Sequence, residues 1–301
     1  MTENGNIVLI DGHSQVYRAY HGMPALTNSK GELISVLYAM ARFLLALDES
    51  YPHQYGAVIF DKGPPRKRLE VLPEYKAQRP SMPEELRSQL PAVREWIQAA
   101  GWPLLEEEGR EADDLIAAIV KARRQHPVYI VSHDKDLGQL VREDVVQLIP
   151  DKSGAKARLK ELNSVAIKEK FGVEPEAIVD YLAMVGDSSD NIPGLPGVGP
   201  KTAVELLQHF GNIDSILRRK EEIEKPSLRK KLDGAGELLK KNRELVRLDD
   251  IEPADWDGLS GLKRRCPDWA RLRRFAEEND FKSLLPVIEE GEKADRSPKL
   301  L

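Results

Sequence analysis

Four short apolar runs rich in β-branched residues punctuate the first half of the chain: Ile7-Val8-Leu9-Ile10, Ala57-Val58-Ile59-Phe60, Val128-Tyr129-Ile130-Val131 and residues 145–149. Runs this short and this continuous suit strands covered on both faces. Between them lie segments of helical spacing: 36–47, with Leu37, Met40, Ala41 and Leu44 on one side, then 84–100 and 113–124. The alternation predicts an α/β fold with a mostly parallel central sheet flanked by helices. From about Ser164 the pattern turns helical throughout, over 165–171, 175–185, 201–210 and a basic stretch at 226–248. Two segments follow neither period. Residues 62–83 are rich in proline and basic groups, and 289–301 read as a frayed tail or linker.

A chain of 301 residues, 41% hydrophobic and 32% charged, can bury a core, so wholesale disorder is excluded. No apolar run reaches membrane-spanning length, and the N-terminus lacks the basic and apolar regions of a signal peptide. One cysteine, Cys266, excludes an internal disulfide framework and a thiolate zinc site, and points to a reducing, cytoplasmic compartment. The net charge of −5 by itself disfavours nucleic acid, but its distribution matters more than its sum. Six basic residues stand against two acidic ones from Lys62 to Arg79, and eleven against six from Arg218 to Arg247.

The acids are concentrated elsewhere. Three of the four predicted strands run into an aspartate: Asp11, Asp61 and Asp134. In an open parallel sheet, the loops after neighbouring strands converge on one crevice. Further acids cluster locally as Glu111, Asp113 and Asp114, as Asp134 and Asp136, and as Asp187 and Asp190. Each alone is an ordinary turn or cap residue. Together, nine carboxylates in one crevice repel one another and require cations. An all-oxygen acidic site suits Mg²⁺ or Mn²⁺, and this many acids suit two ions. Setting the nine aside takes the remaining chain from −5 to +4, compatible with a phosphate-binding surface.

Residues 194–202 read GLPGVGPKT. Pro200 stands where a Walker A loop needs lysine, and Thr202 where a dinucleotide fingerprint needs its third glycine, so both nucleotide motifs are excluded. What remains is a glycine hairpin, Gly197-Val198-Gly199, leading through Pro200 into a helix whose first turn holds Lys201 and Thr202. Its residues fit a helix-hairpin-helix that holds duplex backbone through N–H groups, and fit equally a plain helix-helix turn.

Several stretches now match a known family in order: IDGHSQVYRAYH, FDKGPPRKR with EYKAQRP, GREADD, VSHDKDLGQL and MVGDSSDNIPGLPGVGPKTA. Over about residues 7–285 the chain resembles the 5′-nuclease (flap endonuclease) family, most of all the 5′→3′ exonuclease domain of bacterial DNA polymerase I. The resemblance implies a PIN-like metal-dependent nuclease core over 1–164, including a basic arch at about 62–95. It implies a helical DNA-binding region over 165–288, with its helix-hairpin-helix at about 191–211, before the tail at 289–301. It implies two divalent ions, the first served by Asp11, Asp61, Glu111, Asp113 and Asp114, the second by Asp134, Asp136, Asp187 and Asp190. Arg18, Lys76 and Arg79 match the cations that meet the phosphate near the cut, with Tyr75 beside them and Arg68 as a further DNA contact. An arch around 76–94 would admit a single-stranded 5′ end. The hairpin residues Gly197, Gly199, Lys201 and Thr202 would grip duplex and hold a potassium ion. Lys67 departs from the pattern, standing where polymerase I domains carry an aromatic; all nine acids are kept.

The expected function is therefore a structure-specific 5′ nuclease, acting as a monomer by two-metal hydrolysis on flaps, nicks, 5′ ends or RNA primers, alone or with a DNA polymerase. His13, His21 and His133 lie near the motifs but are not needed as bases. A non-catalytic DNA-structure binder of the same fold would not need the full carboxylate set. A small-molecule phosphatase would need neither the basic arch nor the hairpin.

Overall fold

The computed structural model describes residues 5–123, 126–150, 159–249, 251 and 257–296. Arg124, at the end of one expected helix, and residues 297–301 of the expected tail lie outside the described residues.

Six strands form one sheet: β1 (Ile7–Asp11), β2 (Tyr55–Ile59), β3 (Leu104–Leu105), β4 (Val128–Val131), β5 (Val145–Pro150) and β6 (Leu159–Leu162), in the order β3-β2-β1-β4-β5-β6. All neighbours pair in parallel except β5 and β6, which are antiparallel. The register sets Ile10 of β1 beside Val58 of β2 and Val131 of β4, so the three strands end level. The strand order reverses at β1, and a crevice opens beyond the carboxyl ends of β1, β2 and β4.

Side chains alternate across the sheet. Val8, Ile10 and Val58 enter one core with α2 (Ser35–Ser50) and α5 (Leu90–Ala99), where Trp96 and Ile97 are fully buried. Ile7, Leu9 and Ile59 enter the opposite core with α6 (Ala112–Ala122). α1 (Gly12–Gly22) starts directly from β1. The expected helix 84–100 is divided into α4 (Glu84–Arg87) and α5, and α3 (Arg66–Val71) stands inside the proline-rich segment that shows no period.

A third core is mostly helical, with Leu162 of β6 and Tyr75 packed into it. It comprises α7 (Ser164–Phe171), α8 (Ile178–Val185), α9 (Pro200–Phe210), α10 (Ile213–Arg218), α11 (Pro226–Leu232) and α12 (Gly236–Val246). The packing differs from the sequence division at 288. Leu272 and Phe275 of α13 (Trp269–Glu278) and Ile288 of α14 (Leu285–Arg296) join the core of α2 and α5, not the helical one. The stretch expected to fray from 289 is therefore helical as far as Arg296. Among the described residues, no helix is long and apolar enough to cross a membrane.

Arg264 fastens this returning segment. Its guanidinium lies 3.8 Å from the Trp102 ring centroid, pairs with Asp48 at 2.7 Å, and donates to the Ala100 carbonyl at 3.0 Å and the Gly101 carbonyl at 3.2 Å. Truncation would remove the stack and leave half-buried acceptors unpaired. We predict that Arg264→Ala lowers unfolding free energy by about 2–3 kcal/mol, measured by denaturant titration; a loss under about 0.5 kcal/mol would mean that the anchor is dispensable.

Candidate metal centre

The crevice is an open cleft of about 960 Å³, lined among others by Asp11, Asp61, Glu111, Asp113, Asp134, Asp187 and Asp190, with Lys76, Arg79 and Lys135 among them. Five segments supply its acids, each held by local structure. Asp11 ends β1 and caps α1: its Oδ1 accepts the Ser14 N–H at 2.9 Å and its Oδ2 accepts the Ser132 hydroxyl at 2.8 Å. Asp61, just after β2, accepts the Ala112 N–H at 2.7 Å and so meets the start of α6. Glu111 stands at the N-cap of that helix, and Asp113 and Asp114 lie in its first turn, where the helix dipole favours negative charge.

The loop after β4 is fixed from below. Gln147, buried in β5, donates to the carbonyls of Ser132 at 3.0 Å and Asp134 at 2.6 Å, while Asp134 Oδ1 accepts the Asp136 N–H at 2.9 Å. The loop carrying Asp187 and Asp190 closes on itself at Gly186, whose φ is +79°. A Cβ there would lie 2.3 Å from the Gly194 nitrogen, so only glycine permits this approach.

The acids assemble into two groups. Glu111, Asp113 and Asp114 place one oxygen each within 4.8 Å of one another, and so do Asp136, Asp187 and Asp190; all six are buried. Burial, with Asp61 and Asp134 nearby, pushes Asp11 up to about 7. Burial and the neighbouring acids likewise raise Asp113 and Asp136 well above the usual carboxylate range, although Arg68 opposes the rise at Asp113. Asp187 moves the other way. Burial opposes its ionisation, but hydrogen bonds from Lys135 at 2.7 Å and from Ser189 prevail. Asp136 Oδ1 is buried with no hydrogen-bond partner. Crowded carboxylates with an orphaned oxygen, and no thiolate among them, fit hard divalent cations.

Three cations of the cleft lining sit against the groups. Lys76 pairs with Glu111 and lies 3.6 Å from Asp190, and Arg79 pairs with Asp190 at 2.5 Å. Lys135 meets Asp187. The segment bearing Lys76 and Arg79 is tied to the acidic loop: the Lys76 N–H donates to the Asp190 carbonyl at 3.1 Å and Arg79 Nε to the Ser189 carbonyl at 3.0 Å. Lys76 has φ +55°, a left-handed conformation that this docking sustains.

Other expected site residues lie elsewhere. Arg18 is on α1, hydrogen-bonded to Gln15 at 3.0 Å, with its guanidinium 5.5 Å from the Phe43 ring, outside the cleft lining. Arg68 and Tyr75, expected as DNA contacts, face inward in this structure. Both are buried, Arg68 against Glu111 and Asp114, Tyr75 with its hydroxyl on Asp190 at 2.8 Å, so neither presents its polar end to solvent. Gly197, Gly199, Lys201 and Thr202 form the turn into α9, outside the cleft lining. Sequence reasoning missed Lys135, Ser132 and Gln147. Only Lys135 carried a signal, standing between two aspartates.

Two family models cover most of the chain: the N-terminal resolvase-like domain of 5′-3′ exonuclease over residues 6–172, and its C-terminal SAM fold over 173–268. The chain belongs to the 5′-3′ exonuclease family. It is thus a nuclease, a phosphodiester hydrolase. The 5′-3′ exonuclease of Aquifex aeolicus is 39% identical over 287 residues, covering 94% of this chain and 95% of that protein. The thermostable DNA polymerase I of Thermus filiformis is 38% identical across 93% of this chain, which spans 32% of that polymerase's length. Among solved structures, the bacteriophage T5 flap endonuclease bound to DNA and metal ions shares the fold at a TM-score of 0.67 and 24% identity, over 94% of this chain and 99% of that one. The zinc-bound T5 5′-exonuclease is similar at 0.65 and 26%, over the same shares.

Removing one repelling acid from the unloaded centre should relieve strain. We predict that Asp136→Asn raises metal-free stability by about 1 kcal/mol and reduces the thermal stabilisation that Mg²⁺ or Mn²⁺ confers on the parent. Calorimetric melting with and without the ion checks both. A destabilised variant that still gains fully from metal would place the ion elsewhere.

Proposed function

We propose that the chain is a structure-specific 5′ nuclease, cutting DNA at 5′ flaps, nicks or 5′ ends, RNA primers included, through two Mg²⁺ or Mn²⁺ ions held in the cleft. The observation that carries this reading is one cleft lined by Glu111 and Asp113 of the first buried carboxylate group and by Asp187 and Asp190 of the second, with Lys76 and Arg79 beside them. Glu111 and Asp113, with Asp11 and Asp61, would hold one ion; Asp136, Asp187 and Asp190, with Asp134, the other. Ions bound there supply Lewis-acid stabilisation of the phosphate and an acidified water.

The chain's own residues orient and neutralise. Lys76 and Arg79 compensate Glu111 and Asp190 in the unloaded site. With ions neutralising those acids, the same cations serve the charge developing on the scissile phosphate. No side-chain nucleophile is required. His13 Nδ1 accepts the Asp61 N–H at 3.0 Å, so its proton sits on Nε2 and the neutral ring faces the cleft as a donor, not a base. Burial lowers its pKa further from the charged form, with the Asp61 carboxylate opposing.

Duplex is held by the hairpin. Gly197 has φ +71°, and a Cβ there would lie 2.1 Å from Lys231 Nζ; a Cβ on Gly199 would meet nothing within 4 Å. Gly199 is therefore the open position at which a phosphate backbone can approach the start of α9, where Lys201 adds a charge and the carbonyls offer a potassium site. Arg18 would serve the substrate strand beyond the cleft. The resemblance further supports a cytoplasmic, nucleoid-associated monomer acting alone or with a DNA polymerase.

The deciding experiment is cleavage of a 5′-flap duplex with Mg²⁺ against EDTA. Asp113→Ala and Asp134→Ala should abolish cutting while duplex binding in Ca²⁺ survives, and Lys76→Ala should slow the single-turnover rate about 10²–10³-fold with little change in affinity. If Lys76→Ala weakens affinity alone, it only positions substrate; near-parental cutting by either aspartate variant contradicts the site.

Gly199→Val should fold normally yet weaken duplex binding, and Lys201→Ala should reduce the salt slope by about one ion. Titrations on flap duplex and on bare single strand, at several salt concentrations, measure both. Equal losses on the two substrates would remove the duplex assignment of the hairpin.

A further inference from the structure

Arg68 is 7% exposed and spends its guanidinium on two acids of the first group. NH1 donates to Glu111 Oε2 at 2.7 Å and to Asp114 Oδ2 at 2.5 Å, NH2 to Asp114 Oδ1 at 2.9 Å, and Nε to the Leu245 carbonyl at 3.0 Å. Asp114 is thereby occupied at both oxygens, and its Oδ1 also accepts the Asp249 N–H at 2.8 Å. Like Asp136, and unlike Glu111 and Asp113, it lies behind the cleft lining, but Asp136 keeps a buried oxygen with no hydrogen-bond partner among the described residues, which Asp114 does not. To meet a DNA phosphate, Arg68 would have to give up its bonds to buried Asp114 and Glu111, a change that buried charge strongly resists.

The Leu245 carbonyl belongs to the last turn of α12, and that helix reaches the other carboxylate group as well. One turn earlier, Asn242 donates to the carbonyls of Pro193 at 2.6 Å and Ala183 at 2.9 Å, gripping the loop that carries Asp187 and Asp190. Beyond its end, the Asp249 carbonyl accepts from Arg110 at 3.1 Å, beside Glu111, and Lys67 pairs with the Asp249 carboxylate. One helix thus holds both carboxylate groups, and Arg68 is its fastening to the first.

We propose that Arg68 is a positioning residue for the nuclease reaction: acting through Asp114 and Glu111, it sets the first carboxylate group against α12 and so fixes its place relative to the second. Asp114 on this view supports the site from behind and does not face the ions. The proposal rests on the nuclease reading above. Such supporting contacts matter because a ligand oxygen displaced by a fraction of an ångström binds its ion less well and misaligns the reacting phosphate.

The test is a double-mutant cycle with Arg68→Met, Asp114→Asn and the pair combined. Three quantities are measured: Mn²⁺ binding to the protein alone by titration calorimetry, single-turnover cleavage of a flap duplex, and duplex affinity in EDTA across salt concentrations. Each single variant should weaken Mn²⁺ binding about tenfold and slow cleavage about 10²-fold, and the double variant should be scarcely worse than either single one. Duplex affinity in EDTA and its salt slope should match the parent. Additive losses, parental Mn²⁺ binding, or a salt slope reduced by about one in Arg68→Met would overturn the proposal, the last by making Arg68 a phosphate contact. Arg68→Lys keeps the charge and guards against a misfolded Met variant. A single ammonium cannot span Asp114, Glu111 and Leu245, so this variant should be impaired, and parental behaviour would refute the role of the fork. If the parent fails to cut the flap duplex, the nuclease reading falls, while the Mn²⁺ cycle still tests Arg68.

Discussion

Mutual repulsion among carboxylates is the constraint on which the rest of this molecule depends. Acids crowded into a cleft would disperse or take up protons unless something holds them and something neutralises them. Burial first, and the neighbouring acids after it, raise Asp11, Asp113 and Asp136 above the usual carboxylate range. The neutralising charges are Arg68, Lys76, Arg79 and Lys135, each in contact with an acid of the two groups. The cleft is thus a site whose cations are partly built in and partly left to be supplied.

Holding the acids falls to elements that can bear the load. A parallel sheet presents its strand ends side by side, and β1, β2 and β4 end level because their register is fixed by cores on both faces. Each acidic loop is then fastened by polar groups from neighbouring elements: Gln147 under Asp134, Ser132 between Asp11 and Asp134, Tyr75 beneath Asp190. The Ser132–Asp11 and Tyr75–Asp190 contacts are buried and the others partly so, which makes them expensive to break. The repulsion is contained by anchoring spread over the fold.

The sheet's centre and the acids were legible in the sequence because both leave local marks: continuous β-branched runs, and aspartates at strand ends. What was not legible depended on distant partners. β3 is two residues long and β6, LKEL, is half polar, so neither has a period to read. α3 follows Pro65 in a basic stretch and is held by Arg68 reaching Leu245 and Asp114, contacts that no local pattern encodes. The carboxylate partners of Arg68 are hidden for the same reason. A basic residue among basic residues suits phosphate as well as carboxylate, and only the fold decides which it meets. The part of α14 from 289 reads as a tail because it is charged around Gly291, and Ile288, which docks the helix, lies just before it.

The same partition of charge explains how an acidic chain can take a polyanion. The sum of −5 would repel DNA only if the acids faced it evenly. Here most of the nine lie buried, and divalent ions in the cleft would reverse the local sign where the phosphate enters. Lys201 at the start of α9 and the basic ends of α11 meanwhile stay on the outer surface. A substrate approaching that surface meets cations first and reaches the acids only through whatever ions they hold. Metal loading and substrate attraction would then be one electrostatic event: without ions the acids of the cleft oppose a phosphate, and with them the same cleft would attract it.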